Sequence, residues 1–141
     1  MQNHVMTNPR HEHVTMTTPE GVDIDVDVKM AELLTTLWAI GVTTNYSCQG
    51  EPTDFSWEDE SPESEKPGWN ASRDRRAYIS MENSFESSLL VSSLVAGFPK
   101  LGFTDNSMWA FEFDYHPDQG PRICIRFPHN EIPHFVSFLR D

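Results

Sequence analysis

Hydrophobic and polar positions alternate strictly from Val22 to Val28: Val22, Ile24, Val26 and Val28 are separated by Asp23, Asp25 and Asp27. A period of two predicts a strand with one buried and one acidic face. Thr18-Pro19-Glu20-Gly21 before it predicts a turn, and a short strand is expected around Val14–Thr17. The period then lengthens. Met30, Leu33, Leu34, Leu37 and Trp38 recur at helical spacing, Asp27 is placed to cap a helix running to about Ile40, and Gly41 suits the position just past its end. Val42–Tyr46 reads as the next strand. Strand, helix and strand in succession suggest a βαβ unit, with a right-handed crossover if the two strands are parallel.

Alternation returns in the second half. Ala77–Met81 predicts a strand, and Asn83 with Glu86 three residues on predicts the start of a helix through Ala96, ended by Gly97. Met108–Tyr115 places Trp109, Phe111, Phe113 and Tyr115 on one face, read as core. His116–Pro121 is hairpin-like, and Arg122–Phe127 pairs back with Ile123, Ile125 and Phe127 facing in and Arg122, Cys124 and Arg126 facing out. Glu131–Arg140 predicts a terminal helix with Ile132, Phe135, Val136 and Leu139 as its apolar stripe and Pro133 in its first turn. The expected class is α+β: one domain over residues 1–141, with a mixed sheet of five to six strands and two to three helices mainly on one face. The N-terminus (1–12) is expected to be flexible, and residues 51–76, which show no hydrophobic period, form a long acidic loop.

Charge narrows the function classes. With 22 acidic and 10 basic residues the formal net charge is −12. Such a field repels phosphate backbones and anionic membrane, so neither non-specific nucleic acid nor a membrane is an expected partner. No apolar run approaches the roughly 18–20 residues of a membrane span, and MQNHVMTNPRHEH holds no signal-peptide h-region. Two cysteines, Cys48 and Cys124, make no disulfide framework. A cytoplasmic, reduced protein is the expectation.

The chemistry concentrates at Ser47-Cys48-Gln49-Gly50, where a β-branched strand runs into a turn of small and polar residues. Successive backbone N–H groups at such a strand end can form an anion-binding nest, with Gly50 permitting left-handed backbone and Ser47 and Gln49 adding donors. Arginines are scarce, so their placement counts: Arg73, Arg75 and Arg76 close the acidic loop, and Arg122 and Arg126 share the exposed face of the last strand. Arg75 or Arg76, with Arg126, would clamp a carboxylate or phosphate, and Trp57 or Trp69 on the loop would close over the ligand by stacking. The leading reading is a small-ligand-binding protein for an anionic, nucleotide-like or phosphorylated molecule. The alternatives are a thiol enzyme using Cys48, with His116, His129 or His134 as base, and a protein-interaction module offering the acidic Glu51–Glu65 segment to a basic partner. A homo-oligomer stays open. His11 and His13 alternate as strand residues do and could chelate a cation with Asp23 or Asp25, but a solvated N-terminus is the stronger reading, so neither a metal nor another cofactor is expected.

The stretch from Val26 to Gly50, centred on Leu-Trp-Ala-Ile-Gly-Val-Thr-Thr-Asn-Tyr-Ser-Cys-Gln-Gly, resembles a family of small uncharacterised proteins of actinobacteria and their phages that share an L-W-x-x-G-x-x-T-x-x-S-C-Q-G pattern. Ile125-Arg126-Phe127-Pro128 followed by Ile132-Pro133 is similar to that family's ending. The family brings no established activity. A phage origin implies the host cytoplasm and a sequestering, anti-defence role against a nucleotide signal.

Overall fold

The computed structural model describes residues 11–50, 76–97 and 109–140. β1 (His13–Thr17) and β2 (Asp23–Asp27) pair antiparallel, with Thr17 opposite Asp23 and His13 opposite Asp27. The turn between them is the one the sequence predicts: Thr18 N–H donates to the Val22 carbonyl at 2.8 Å, and Gly21 takes a φ of 86°. Ile24 and Val26 are buried as the alternation requires.

A 3-10 turn (Val28–Met30) leads into α1 (Ala31–Ala39), which buries Leu33, Leu34 and Leu37 completely, along with Met30 before it. Its end is a Schellman motif: Val42 N–H bonds the Leu37 carbonyl at 3.1 Å, Gly41 N–H bonds that of Trp38 at 3.0 Å, and Gly41 has a φ of 90°. Asp27 does not cap this helix. Its side chain makes no cap hydrogen bond and is wholly buried, so it stays on the acidic face that alternation predicts, but that face is not solvated at this end.

β3 (Thr44–Cys48), β4 (Ala77–Glu82), β5 (Ala110–His116) and β6 (Gly120–Phe127) form a second sheet in the order β3-β4-β6-β5. Among the described residues, six strands and three helices make the fold α+β, with α2 at Phe85–Gly97 and α3 at Ile132–Arg140. The strands divide between two sheets, and every described pair is antiparallel. The β2-α1-β3 segment is therefore no βαβ crossover, because α1 leaves one sheet and delivers the chain to the other. β4 and β5 do run parallel, but β6 lies between them.

The sheet's inner face (Ala77, Ile79, Met81, Ile123, Ile125, Phe127) joins Leu33, Leu37, Leu94 and Phe135 from the helices in one core. Trp109, Phe127 and Phe135 cluster with ring centroids 5.1–5.5 Å apart. The aromatic stripe of β5 enters this core only at its start. Trp109 is buried, whereas Phe113 and Tyr115 are 68% and 71% exposed, because β5 is an edge strand whose main described neighbour is β6. α2 begins one residue later than Asn83 predicts: Ser84 and Ser87 exchange backbone N–H to Oγ bonds at 2.9 and 3.2 Å, so Ser87 takes the role assigned to Glu86.

β3 carries a bulge between Thr44 and Tyr46. Thr44 pairs with Met81 and Tyr46 with Ser80, so Asn45 is the extra residue. The bulge moves Tyr46 and Cys48 to the sheet face opposite the core, in line with Ser80 and Tyr78. No described helix is long and apolar enough to cross a membrane.

Candidate functional site

The site is built where the far end of the hairpin meets the end of β3. Val28 N–H donates to the Glu12 carbonyl at 2.8 Å, continuing the pairing beyond β1. His11, His13, Thr15 and Thr17 thus share a hairpin face with Asp23, Asp25 and Asp27. At the turn end this face is solvated, with Thr15 Oγ1 bonded to Asp25 at 3.0 Å and Thr17 Oγ1 to Asp23 at 2.7 Å. At the other end the β3 terminus covers it, and Asp27 and the His11 side chain are 0% and 5% exposed.

Asp27 Oδ2 accepts from Gln49 N–H at 2.9 Å and lies 3.0 Å from His11 Nδ1. Its Oδ1 stands 3.5 Å from His13 Nε2 and has no hydrogen-bond partner. A donor atom each from His11, Asp27 and Cys48 lie within 4.8 Å of one another. The Gly50 N–H approaches Cys48 Sγ at 3.5 Å, and Gly50 has the left-handed φ, 68°, that its place in the turn requires.

The turn therefore does bind an anion through its peptide N–H, but the anion is the protein's own carboxylate. Gln49 is also spent inward: its Oε1 accepts from Lys29 N–H at 3.2 Å and its carbonyl oxygen from His129 Nδ1 at 2.7 Å. Those bonds fix the rim of a pocket of about 460 Å³ between the 3-10 turn of Val28–Met30 and the start of α3. Val28, Ile132, Pro133 and Val136 form its apolar wall, and Lys29, Glu32, His129 and Asn130 its polar part. Glu32 is paired with Arg140 at 2.9 Å.

Of the arginines expected to clamp a ligand at this turn, the described Arg126 lies away from it. Cys48, Tyr78 and Arg126 occupy one rung across β3, β4 and β6, so Arg126 stands two strand spacings, about 10 Å, from Cys48 with Tyr78 between. Arg126 Nε donates to Glu112 at 3.1 Å, and its guanidinium lies 5.3 Å from the Tyr78 ring centroid. Arg122 pairs bidentately with Asp114 at 2.9 Å and lies over Tyr46 at 5.8 Å. That pairing holds the Asp114 carboxyl below its ordinary range and raises the Arg122 guanidinium. Ser47 is half-buried on the core-facing side of β3, opposite Ile79, and Arg76 is half-buried just before β4. Trp57, Trp69 and Arg75, like the Glu51–Glu65 segment, lie outside the described residues.

Burial first, then the neighbouring Cys48 and Cys124, holds the Tyr78 phenol protonated well above its usual range. Burial likewise pushes the Cys124 thiol up to about 11, against the lowering influence of Arg126. Neither group is a ready nucleophile at neutral pH.

Comparison with known proteins finds no matching family model, no matching curated protein and no matching solved structure. The chemistry rests on the residues. Sequence reasoning missed Asp27, read as a helix cap, and Lys29, read as nothing; His129 entered only as a candidate base for Cys48. The signal for Asp27 was available. Counting outward from the Thr18–Val22 turn pairs Thr17 with Asp23 and, four residues further along each strand, His13 with Asp27.

Proposed function

We propose that the protein binds an anionic small molecule, nucleotide-like or phosphorylated, in the pocket walled by Val28, Ile132 and Val136 and rimmed by Lys29, His129 and Asn130. The observation that carries this reading is the anchoring of that rim: Gln49 Oε1 accepts from the Lys29 backbone N–H, and the Gln49 carbonyl oxygen accepts from His129 Nδ1. A volume of about 460 Å³ suits a small metabolite. Lys29 supplies the cation and His129 and Asn130 the hydrogen-bonding groups, while the apolar wall takes a ring or alkyl portion. A sequestering role against a nucleotide signal fits a site lined by no cysteine, serine or threonine, and rests on the resemblance to phage proteins.

Native mass spectrometry against nucleotides, cyclic nucleotides and ADP-ribose derivatives tests the proposal. The expected result is a one-to-one adduct that disappears on denaturation and weakens about 10- to 100-fold in Lys29→Ala, the worth of one charge-assisted hydrogen bond. Arg126→Ala leaves it unchanged. An adduct indifferent to Lys29→Ala and lost in Arg126→Ala would return the site to the outer sheet face.

A second reading, a Cys48-dependent thiol enzyme, is favoured by the approach of Cys48 to the bonded His11–Asp27 pair. It requires Cys48 to be alkylated much faster than Cys124 at neutral pH in metal-free protein. Equal sluggishness of the two thiols counts against it.

A further inference from the structure

The His11–Asp27–Cys48 cluster lies outside the pocket, and the ligand-binding reading makes no use of it. Asp27 is wholly buried, yet one carboxylate oxygen has no hydrogen-bond partner. Leaving a buried polar atom unsatisfied is costly, and more so when the group is charged. Burying a carboxylate is tolerated when it is paired or coordinates a metal. The three donors come from separate strands or strand extensions, which converge here because the β3 terminus closes over the hairpin.

We infer that His11, Asp27 and Cys48 form a binding site for a divalent transition metal of the zinc class. The donor set is imidazole nitrogen, carboxylate oxygen and thiolate sulfur. Sulfur and nitrogen donors select zinc, cobalt or a similar ion over magnesium and calcium, which take oxygen. Bond lengths of about 2.0–2.3 Å in a tetrahedron place donors roughly 3.3–3.6 Å apart. The trio, already within 4.8 Å, needs only a side-chain adjustment to close on the ion. Charge balances as well: one carboxylate and one thiolate neutralise a divalent cation, with His11 neutral. On binding, the thiol gives up its proton to solvent, and the neutral imidazole keeps its one proton on the nitrogen turned away from the ion. Gln49 N–H holds Asp27 from behind in the manner of an outer-shell partner, and His13 flanks the other oxygen. The fourth coordination position is left to water.

The test uses full-length protein stripped with chelator and then titrated with zinc, and separately with cobalt. The expected result is one equivalent bound, with a thiolate-to-cobalt charge-transfer band and protection of Cys48, but not Cys124, from alkylation. Cys48→Ser abolishes the band. Both it and His11→Ala weaken zinc binding by more than the roughly 10- to 100-fold that loss of an outer-shell partner costs. Cys124→Ser changes nothing, and His13→Ala has the smaller effect. Cys48 is half-buried rather than part of the core, so Cys48→Ser is the variant that keeps its fold, verified by circular dichroism. Failure to bind zinc at micromolar concentration overturns the assignment. So does stoichiometric binding that survives both Cys48→Ser and His11→Ala. Retention of nucleotide binding by the metal-free protein would leave the pocket reading standing on its own.

Discussion

Replacing Asp27 by alanine removes the group that ties the hairpin to the end of β3. Its Oδ2 takes the Gln49 N–H at 2.9 Å and contacts His11 Nδ1 at 3.0 Å. Hydrogen bonds to a charged group contribute about 1.5–3 kcal/mol each, so the pair sums to about 3–6 kcal/mol. Deleting the carboxylate also relieves its desolvation and removes the unpartnered Oδ1. That offset places the expected loss near the lower end, about 3–4 kcal/mol. Asp27→Asn keeps an acceptor of the same shape for the Gln49 N–H and loses the charge, for about 1.5–3 kcal/mol. Urea unfolding at pH 7 in the presence of chelator isolates the protein's own contacts from any bound ion. With a slope of about 2 kcal/mol/M, Asp27→Ala moves the midpoint down by about 1.5–2 M at unchanged slope. Asp25→Ala, whose carboxylate meets Thr15 in solvent, stays within about 0.5 kcal/mol. A loss below about 1 kcal/mol for Asp27→Ala would mean that the carboxylate does not organise the turn.

Gly41→Ala and Gly21→Ala separate backbone strain from contact. Both glycines have left-handed φ, but a Cβ at Gly41 would lie 3.2 Å from Glu86 Cγ, whereas one at Gly21 meets nothing within 4 Å. Each loses about 1–2 kcal/mol to the conformation, and Gly41→Ala should show the lower melting temperature of the two. Cys124, its thiol pushed from 9.0 to about 11, should label slowly with iodoacetamide at pH 7.5. The unfolded chain releases this proton first as pH rises, so the contribution is full below pH 9 and is lost as pH climbs through about 11. Cys124→Ala should flatten that alkaline decline in urea midpoint, and an unchanged decline would place its origin elsewhere.

What the sequence makes legible is the part set by local periodicity. Met30, Leu33, Leu34 and Leu37 are read from spacing and are all fully buried, and Gly41 is read from its place after the last apolar residue. Phe113 and Tyr115 show where periodicity stops: alternation assigns them a common face, but not whether a helix covers that face. Partner choice between strands is equally non-local. Nothing in the order of residues around 77–82 reveals that β4 lies between β3 and β6, and the distance from Arg126 to the Cys48 turn depends on it. The Ser47–Gly50 turn was legible as a place, and its chemistry was not. Read locally, its peptide N–H points to an external anion, because Asp27, more than twenty residues away, carries no local mark of being the acceptor.

The bulge at Asn45 bears on how this chain should be compared with others. With Asn45 removed, Thr44 would still face Met81, Tyr46 would face Ser80 and Cys48 would face Tyr78, now in an uninterrupted ladder. The extra residue bends β3 without changing a single partnership, and its own buried Nδ2 has no hydrogen-bond partner. A relative one residue shorter at this point can thus present the same face with the same cysteine. An alignment that forbids a gap between Thr44 and Tyr46 would set every residue of its cysteine turn one place out of register.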